Sequence, residues 1–429
     1  WFVTDWVTAY RPTTNRTPPS GGFPDAGDGV IEIAGGITAR TLLYQSDPDN
    51  ARSSHQATKI VTSPRSRREV AIRRSVVPSL VVLLALLLAA PLHGQRIDWR
   101  TRAVLYGDNT EFFSSYRVGE TILGGQVTSW LEAEPGPRTR LQLGFFADRR
   151  WGSDAFVDSI KPILSFRYQT RHSRAVLGSL ETIRRHGLLE PMMVTTRELT
   201  TPVEYGLQYI ETRGRFRGET WINWQRLNTP TQREQFELGL TARVDATRWL
   251  RLQGQHLWFH RGGQLYNAGV TTSNNRVTAL GITGHSRIAH LGESSLAVWE
   301  LFSSGHIDPD YPTARPTSGH GTYLRAGVTP IRRTELFALH WIGRDFSGDA
   351  GDNNYNSTGH DPAFYRSHRT YTELGVIHRT PIEGGVTLDA EARWHRIDHE
   401  QSVAFFGTPW EFSYRLVVRA PVDVLVRRH

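Results

Sequence analysis

Apolar and polar residues alternate one for one through most of residues 95–429. Leu141, Leu143, Phe145 and Ala147 alternate with Gln142, Gly144 and Asp148. Pro162, Leu164, Phe166 and Tyr168 alternate with Lys161, Ser165 and Arg167. The same rhythm carries Phe236, Leu238, Leu240, Ala242 and Val244 against Glu237, Gly239, Thr241 and Arg243. Val386, Leu388, Ala390, Ala392 and Trp394 alternate with Thr387, Asp389, Glu391, Arg393 and His395. Phe412, Tyr414, Leu416 and Val418 alternate with Glu411, Ser413, Arg415 and Arg419. A period of two marks a strand with one apolar and one polar face. No helical period of comparable length appears.

The connections between these segments alternate as well. Tight ones fall at Glu134-Pro135-Gly136-Pro137, Arg171-His172-Ser173, Arg213-Gly214-Arg215, Asp245-Ala246-Thr247, Thr329-Pro330-Ile331 and Pro381-Ile382-Glu383-Gly384. Long polar ones lie between them, the most distinctive at 184–202, 260–275, 305–321 and 346–368. Short turns at one end and long loops at the other predict a membrane-spanning antiparallel barrel. Roughly sixteen strands follow from this spacing. An even number puts both chain ends on the short-turn, periplasmic side. A bilayer cannot hydrate an open sheet edge, so a spanning sheet closes on itself. A soluble sandwich shares the alternation but not the charge on almost every position of the polar face. Trp99, Trp130, Trp151, Trp224, Trp258, Trp341, Trp394 and Trp410 fall near predicted strand ends, as interfacial girdles would.

Composition narrows the reading. The 429 residues include no Cys, which excludes disulfides, thiolate zinc sites and a cysteine nucleophile. A mean hydropathy of -0.41 excludes a helical membrane protein. The net charge of +8 rests on Arg, scattered among Glu and Asp, and does not point to nucleic acid. One Leu-rich run, Val76 to Ala90, follows Arg65, Arg67, Arg68, Arg73 and Arg74 and closes on Ala89 and Ala90 before Pro91. It is short of the roughly 20 residues of a membrane helix and reads as a secretory signal over 70–94. Residues 1–69 then read as an unstructured extension upstream of a mis-set translation start, and 95–429 as the barrel.

On this pattern the chain resembles Gram-negative outer-membrane β-barrels of the general-porin size class, over about 95–429. The resemblance implies an outer-membrane channel for small hydrophilic solutes, embedded in lipid, without a cofactor and without enzymatic activity. Homo-oligomerisation stays open. Such barrels usually end in an aromatic residue, whereas this chain ends Leu425-Val426-Arg427-Arg428-His429. The last strand is therefore expected to stop near Val424. The resemblance also implies that a long external loop folds into the lumen. In the connection 184–202, Leu188, Leu189, Met192, Met193 and Val194 are too apolar for a solvated loop. They would pack on the inner wall, leaving Arg184, Arg185, His186, Glu190 and Arg197 to face a constriction. A lid on the barrel rim is the alternative.

The polar faces predict the pore lining: Lys161, Arg167, Arg217, Glu219, Glu237, Arg243, Arg251, Arg325, Asp389, Glu391, Arg393 and Arg415, with Arg419 beside them. The Arg excess predicts a mild anion preference, unless cross-strand ion pairs simply keep the wall wet. Candidate chemistry is sparse. His395 and His399 lie four apart, which on a strand is about 13 Å, too far for one metal. Asp352, Asn354 and Asn356 imitate the opening of a calcium loop but lack its Gly and closing Glu. A lipid hydrolase is expected to set Ser and His on one outward face, and no such pair is evident. A partner-binding barrel with a plugged lumen, and an outer-membrane enzyme acting on lipid or envelope polymer, remain the alternatives to a channel.

Overall fold

A computed structural model describes residues 96–269, 272–307, 318–360, 364–397 and 399–427. Expectations for residues 1–94 lie outside the described residues. Sixteen antiparallel strands close into one barrel, each paired with its sequence neighbours and the last with the first. The first half comprises β1 (Arg96–Glu111), β2 (Glu120–Gly136), β3 (Thr139–Arg150), β4 (Ser159–Gln169), β5 (Ser173–Ser179), β6 (Tyr205–Arg213), β7 (Phe216–Arg226) and β8 (Glu234–Asp245). The second half comprises β9 (Leu250–Gly262), β10 (Ser273–Ile288), β11 (Gly292–Ile307), β12 (Ser318–Ile331), β13 (Thr334–Arg344), β14 (His368–Pro381), β15 (Thr387–Arg396) and β16 (Glu411–Arg427). Two short helices, α1 (Arg197–Thr200) and α2 (His399–Phe406), lie in long connections. No helix among the described residues is long and apolar enough to cross a membrane.

The period of two resolves into an outer and an inner wall. Leu164, Leu207, Leu280, Leu296 and Phe302 are at least half exposed on the outside. Their strand neighbours Ser165, Gln208, Ala279 and Leu301 are buried on the inside. A closed cylinder with an apolar outside has no unpaired edge to hide from lipid. The protein is thus an outer-membrane β-barrel.

Two sequence expectations need correction. The last strand does not stop near Val424: Leu425 and Arg427 pair with Asp98 and Ile97 of β1. This seam satisfies β1's free edge, and that hydrogen bonding outweighs the polar residues at the end of the chain. The Trp girdle is only partial. Trp99, Trp151, Trp224 and Trp394 are exposed, whereas Trp130 and Trp341 are buried in the lumen with Trp221 and Trp299. Strand parity, not position along the strand, decides which way each indole points.

Candidate functional site

The connection between β5 and β6 enters the lumen. Leu188, Met192, Met193 and Leu199 are almost wholly buried there. The first three join a cluster with Trp221, Leu257, Val277 and Leu339 of the wall, while Leu199 packs on Tyr106, Ile122 and Val417. Wall amides hold the loop backbone. Gln126 Nε2 donates to Leu199 O at 2.5 Å. Gln255 accepts from Leu189 N at 3.0 Å and donates to Gly187 O at 2.9 Å. Arg197 of α1 pairs with Glu237 of the wall and, at 3.4 Å, with Glu204.

The turn at the head of this loop is strained. Arg185, His186 and Gly187 are all left-handed, with φ of 53°, 57° and 76°. Each non-glycine in that conformation costs about 1–2 kcal/mol. The turn sets the His186 ring between Glu219 Oε1 at 2.5 Å and Glu204 Oε2 at 3.1 Å. The ring also stacks on Trp221 with centroids 4.0 Å apart and planes 10° from parallel. Burial would lower the His186 pKa, but hydrogen bonds donated to both carboxylates outweigh it and raise the pKa to about 9. A second segment joins from the β13–β14 connection. Asp352 N donates to Glu190 O, Val194 N donates to Ala350 O, and Trp341 Nε1 donates to Tyr355 O. The two inserted segments therefore hold each other as well as the wall.

The expected pore residues share the inward parity of their strands, but the structure divides them. Arg325, Asp389, Glu391, Arg393 and Arg415 border a cavity of about 830 Å³ together with Arg185, Glu190 and Arg197 of the loop. Arg217, Glu219 and Arg243 border a second cavity of about 490 Å³ together with His186. Glu237 lies beneath Arg197, Arg167 pairs with Glu181 at 3.2 Å, and Arg251 pairs with Asp245 at 2.7 Å. Lys161 borders neither cavity. The side chain of Arg184 lies outside the described ones. Much of the arginine excess is neutralised locally, by Glu335 on Arg325, Glu373 and Glu391 on Arg393, and Asp108 on Arg415.

A different set of residues converges at the outer end of the inner wall. Ser413 is the third residue of β16, and His395 is the last but one of β15. Ser413 Oγ lies 2.7 Å from His395 Nε2. His395 Nδ1 lies 2.6 Å from the Tyr371 hydroxyl, which donates to Glu373 Oε2 at 2.6 Å. Arg393 Nη1 holds the other oxygen, Glu373 Oε1, at 2.9 Å. These contacts fix the proton positions. Tyr371 donates to the carboxylate, so its oxygen accepts from Nδ1–H of His395. Nε2 is then unprotonated and accepts from Ser413. Ser413, His395, Tyr371 and Glu373 thus form one hydrogen-bonding sequence, an arrangement chemically able to activate a serine.

Phe112 roofs this group, edge-on to His395 with centroids 4.9 Å apart. The cleft beneath encloses about 30 Å³ and is bordered by Arg117, Asp352 and Tyr355 as well as Ser413. That is room for about one water. Sequence parity already placed His395 and Ser413 on the inner face. What it lacked was register: His395 pairs with Glu411, which sets Ser413 one diagonal step away.

The calcium-like run has another use. Asp352 caps the turn Asn353–Tyr355 through the amide of Asn354 and pairs with Arg117. Among the described residues no group of three or more His, Cys, Asp or Glu gathers as a metal site. The side chain of His399 lies outside the described ones.

The fold is similar to several solved outer-membrane proteins. A loop-deletion mutant of OmpT of Vibrio cholerae aligns over 77% of this chain and 100% of its own, at 10% identity and a TM-score of 0.46. The trimer form of OmpT of Vibrio cholerae aligns over 77% and 100%, at 8% identity and a TM-score of 0.45. OprD of Pseudomonas aeruginosa aligns over 78% and 95%, at 10% identity and a TM-score of 0.40. Likeness at this level does not bear on activity. No curated protein matches the sequence significantly. Residues 90–428, in contrast, match the family described as Lipid A 3'-O-deacylase-type. That match overturns the expectation of a barrel without enzymatic activity, because the family is named for a hydrolytic reaction. The sequence pattern could not reveal this, since passive and catalytic barrels share the same alternation. The chain belongs to the Lipid A 3'-O-deacylase-type family.

Proposed function

We propose that this barrel is an outer-membrane esterase that removes an ester-linked acyl chain from a glycolipid of the lipid A type. The observation that carries the reading is the Ser413–His395–Tyr371–Glu373 relay at the outer end of the inner wall. Ser413 Oγ attacks the acyl carbonyl while His395 Nε2 takes its proton. The ester C–O bond breaks, and His395 returns the proton to the sugar oxygen. Water then attacks the acyl-serine, gives its proton to His395, and the carboxylate leaves as Ser413 is re-formed. Tyr371 and Glu373 hold the imidazole in the required tautomer and stabilise the imidazolium. Arg117 borders the same cleft; its charge is held by Asp352, and its remaining N–H donors are what it offers the developing oxyanion. The ester enters when Phe112 and the external loops move aside, since the cleft of about 30 Å³ holds no substrate as it stands.

A fluorophosphonate tests this directly. Ser413 displaces fluoride from phosphorus, forming a P–O bond, with His395 as the base. Peptide mass spectrometry is expected to place the adduct on Ser413 and to find none in His395→Ala. Labelling spread over other serines, or unchanged in His395→Ala, would contradict the assignment.

A channel for small hydrophilic solutes, with a mild preference for anions, is the second reading. It is favoured by the charged cavities of about 830 and 490 Å³ on either side of the inward loop. Planar-bilayer conductance that rises on deleting residues 186–196 would support it, and a protein that never conducts would exclude it.

A further inference from the structure

The middle of the outer wall is apolar on one side of the barrel and polar on the other. Leu105, Val127, Phe145 and Leu164 stand outward and exposed near the middle of β1, β2, β3 and β4. The corresponding positions on β9, β11 and β13 are His256, Glu300 and His340. Their strand neighbours Leu257, Leu301 and Leu339 are buried on the inner wall, so these three face outward. Glu300 lies between the exposed Val298 and Phe302 on its own strand and opposite Leu280 of β10. His340 lies between Ala338 and the exposed Ile342 and opposite Leu324 of β12. Each is met by one neighbouring hydroxyl. Thr322 donates to Glu300 Oε2 at 2.7 Å, and Thr372 Oγ1 lies 2.9 Å from His340 Nδ1. Glu300 Oε1 and His340 Nε2 have no hydrogen-bond partner among the described residues. β12 separates the two strands, so Glu300 and His340 stand roughly 10 Å apart and cannot pair within one chain.

We propose that the outer wall centred on β12 is the interface of a twofold dimer of this chain. A carboxylate and an imidazole turned toward acyl chains are costly, and a second protein face removes that cost. The face is complementary to itself. A twofold axis along the membrane normal, passing by β12, reverses the order of the strands. Glu300 then meets His340 of the partner subunit, and His340 meets Glu300 of the partner subunit. The open Oε1 and Nε2 hydrogen-bond across the interface, once on each side of the axis. Val298, Phe302, Leu336 and Ile342, all exposed on this wall, supply the apolar contact around them. A lipid headgroup fits less well, because apolar residues border the pair both above and below along the two strands. The dimer is independent of the esterase reading, since Ser413 lies on the inner wall of β16, four strands away.

The chain has no cysteine, so a single introduced one reports contact between copies. Leu324→Cys, beside the axis, should form a disulfide-linked dimer on mild oxidation in lipid vesicles, and Phe145→Cys on β3 should not. Sedimentation equilibrium in density-matched detergent should find a dimer of the parent chain. Glu300→Leu suits lipid, so it should keep the heat-modifiable gel shift of a folded barrel while dimerising at least about tenfold more weakly. The exchange Glu300→His/His340→Glu rebuilds both pairs across the axis and should restore the parent affinity, which a mere loss of packing would not allow. A parent that stays monomeric at every concentration would overturn the proposal. So would equal cross-linking from both cysteines, unchanged dimerisation in Glu300→Leu, or a folded exchange variant no better than Glu300→Leu. A monomer that retains a glycolipid, lost in Glu300→Leu, would give the face to lipid instead.

Discussion

Ser413 Oγ and His395 Nε2 are 2.7 Å apart, although 18 residues and the helix α2 separate them in the chain. Neighbouring strands bring them together, and both are almost fully buried on the inner wall. Tyr371, one strand further on, sits between the imidazole and Glu373 and sets which nitrogen of His395 carries the proton. The geometry therefore sets a basic imidazole nitrogen against Ser413 on one side and an orienting hydroxyl against the imidazole on the other.

Tyr371→Phe removes the hydroxyl that relays His395 to Glu373 while keeping the ring that packs on Tyr355. The nearest carboxylate oxygen is then 3.7 Å from Nδ1, and the tautomer is no longer fixed. Deacylation should fall by about a hundredfold in kcat with little change in KM. Steady-state kinetics on a soluble ester check this; an unchanged kcat would remove Tyr371 from the relay.

How much of this was legible in the sequence depends on what parity can encode. Alternation and connection lengths gave about sixteen strands and the two walls, because a period of two is set locally by pleating and by the contrast between lipid and water. The burial of Met192 and Met193 was legible for a different reason: apolar residues in a polar connection need a wall to meet. The serine site was not. Ser413 and His395 carry the right parity, but their meeting depends on β15–β16 register, which no local pattern states. Nor did parity reveal that Arg393 and Arg415 are consumed by Glu373, Glu391 and Asp108. Cross-strand ion pairs are tertiary facts, and of the two arrangements left open for the arginines, Arg325, Arg393 and Arg415 adopt the paired one.

The inward loop should respond to alkaline pH. His186 has its folded pKa raised from 6.5 to about 9 by Glu204 and Glu219, against the effect of burial. A raised folded pKa stabilises fully below about 6.5 and is lost as pH rises through about 9. Hydrogen exchange of residues 183–204, corrected for the intrinsic rate, should quicken between about pH 8 and pH 10, around the raised pKa of about 9. His186→Gln should exchange fast across that window with no pH step. Protection that stays flat through pH 10, roughly one unit above that pKa, would contradict a holding role for His186 in this turn.

Gly239 lets Trp221 lie flat on the wall. A Cβ at this position would come within 2.0 Å of the Trp221 ring, so Gly239→Val must push the indole off its site. His186 loses its stacking partner as a consequence. The variant should lose the slow-exchanging amides of 183–189 and melt at lower temperature, both measured in detergent. Unchanged protection of that turn would show that Trp221 does not anchor it.

The central claim is that Ser413 is the nucleophile of an acyl-ester hydrolase. Its most direct measurement is mass spectrometry of a lipid A-type glycolipid after incubation with the reconstituted protein and with Ser413→Ala. The parent protein should yield a species lighter by one acyl chain, together with the free carboxylate. Ser413→Ala, equally folded, should be at least about a thousandfold slower. Deacylation at the parent rate by Ser413→Ala would contradict the account, as would an intact glycolipid after incubation with the folded parent.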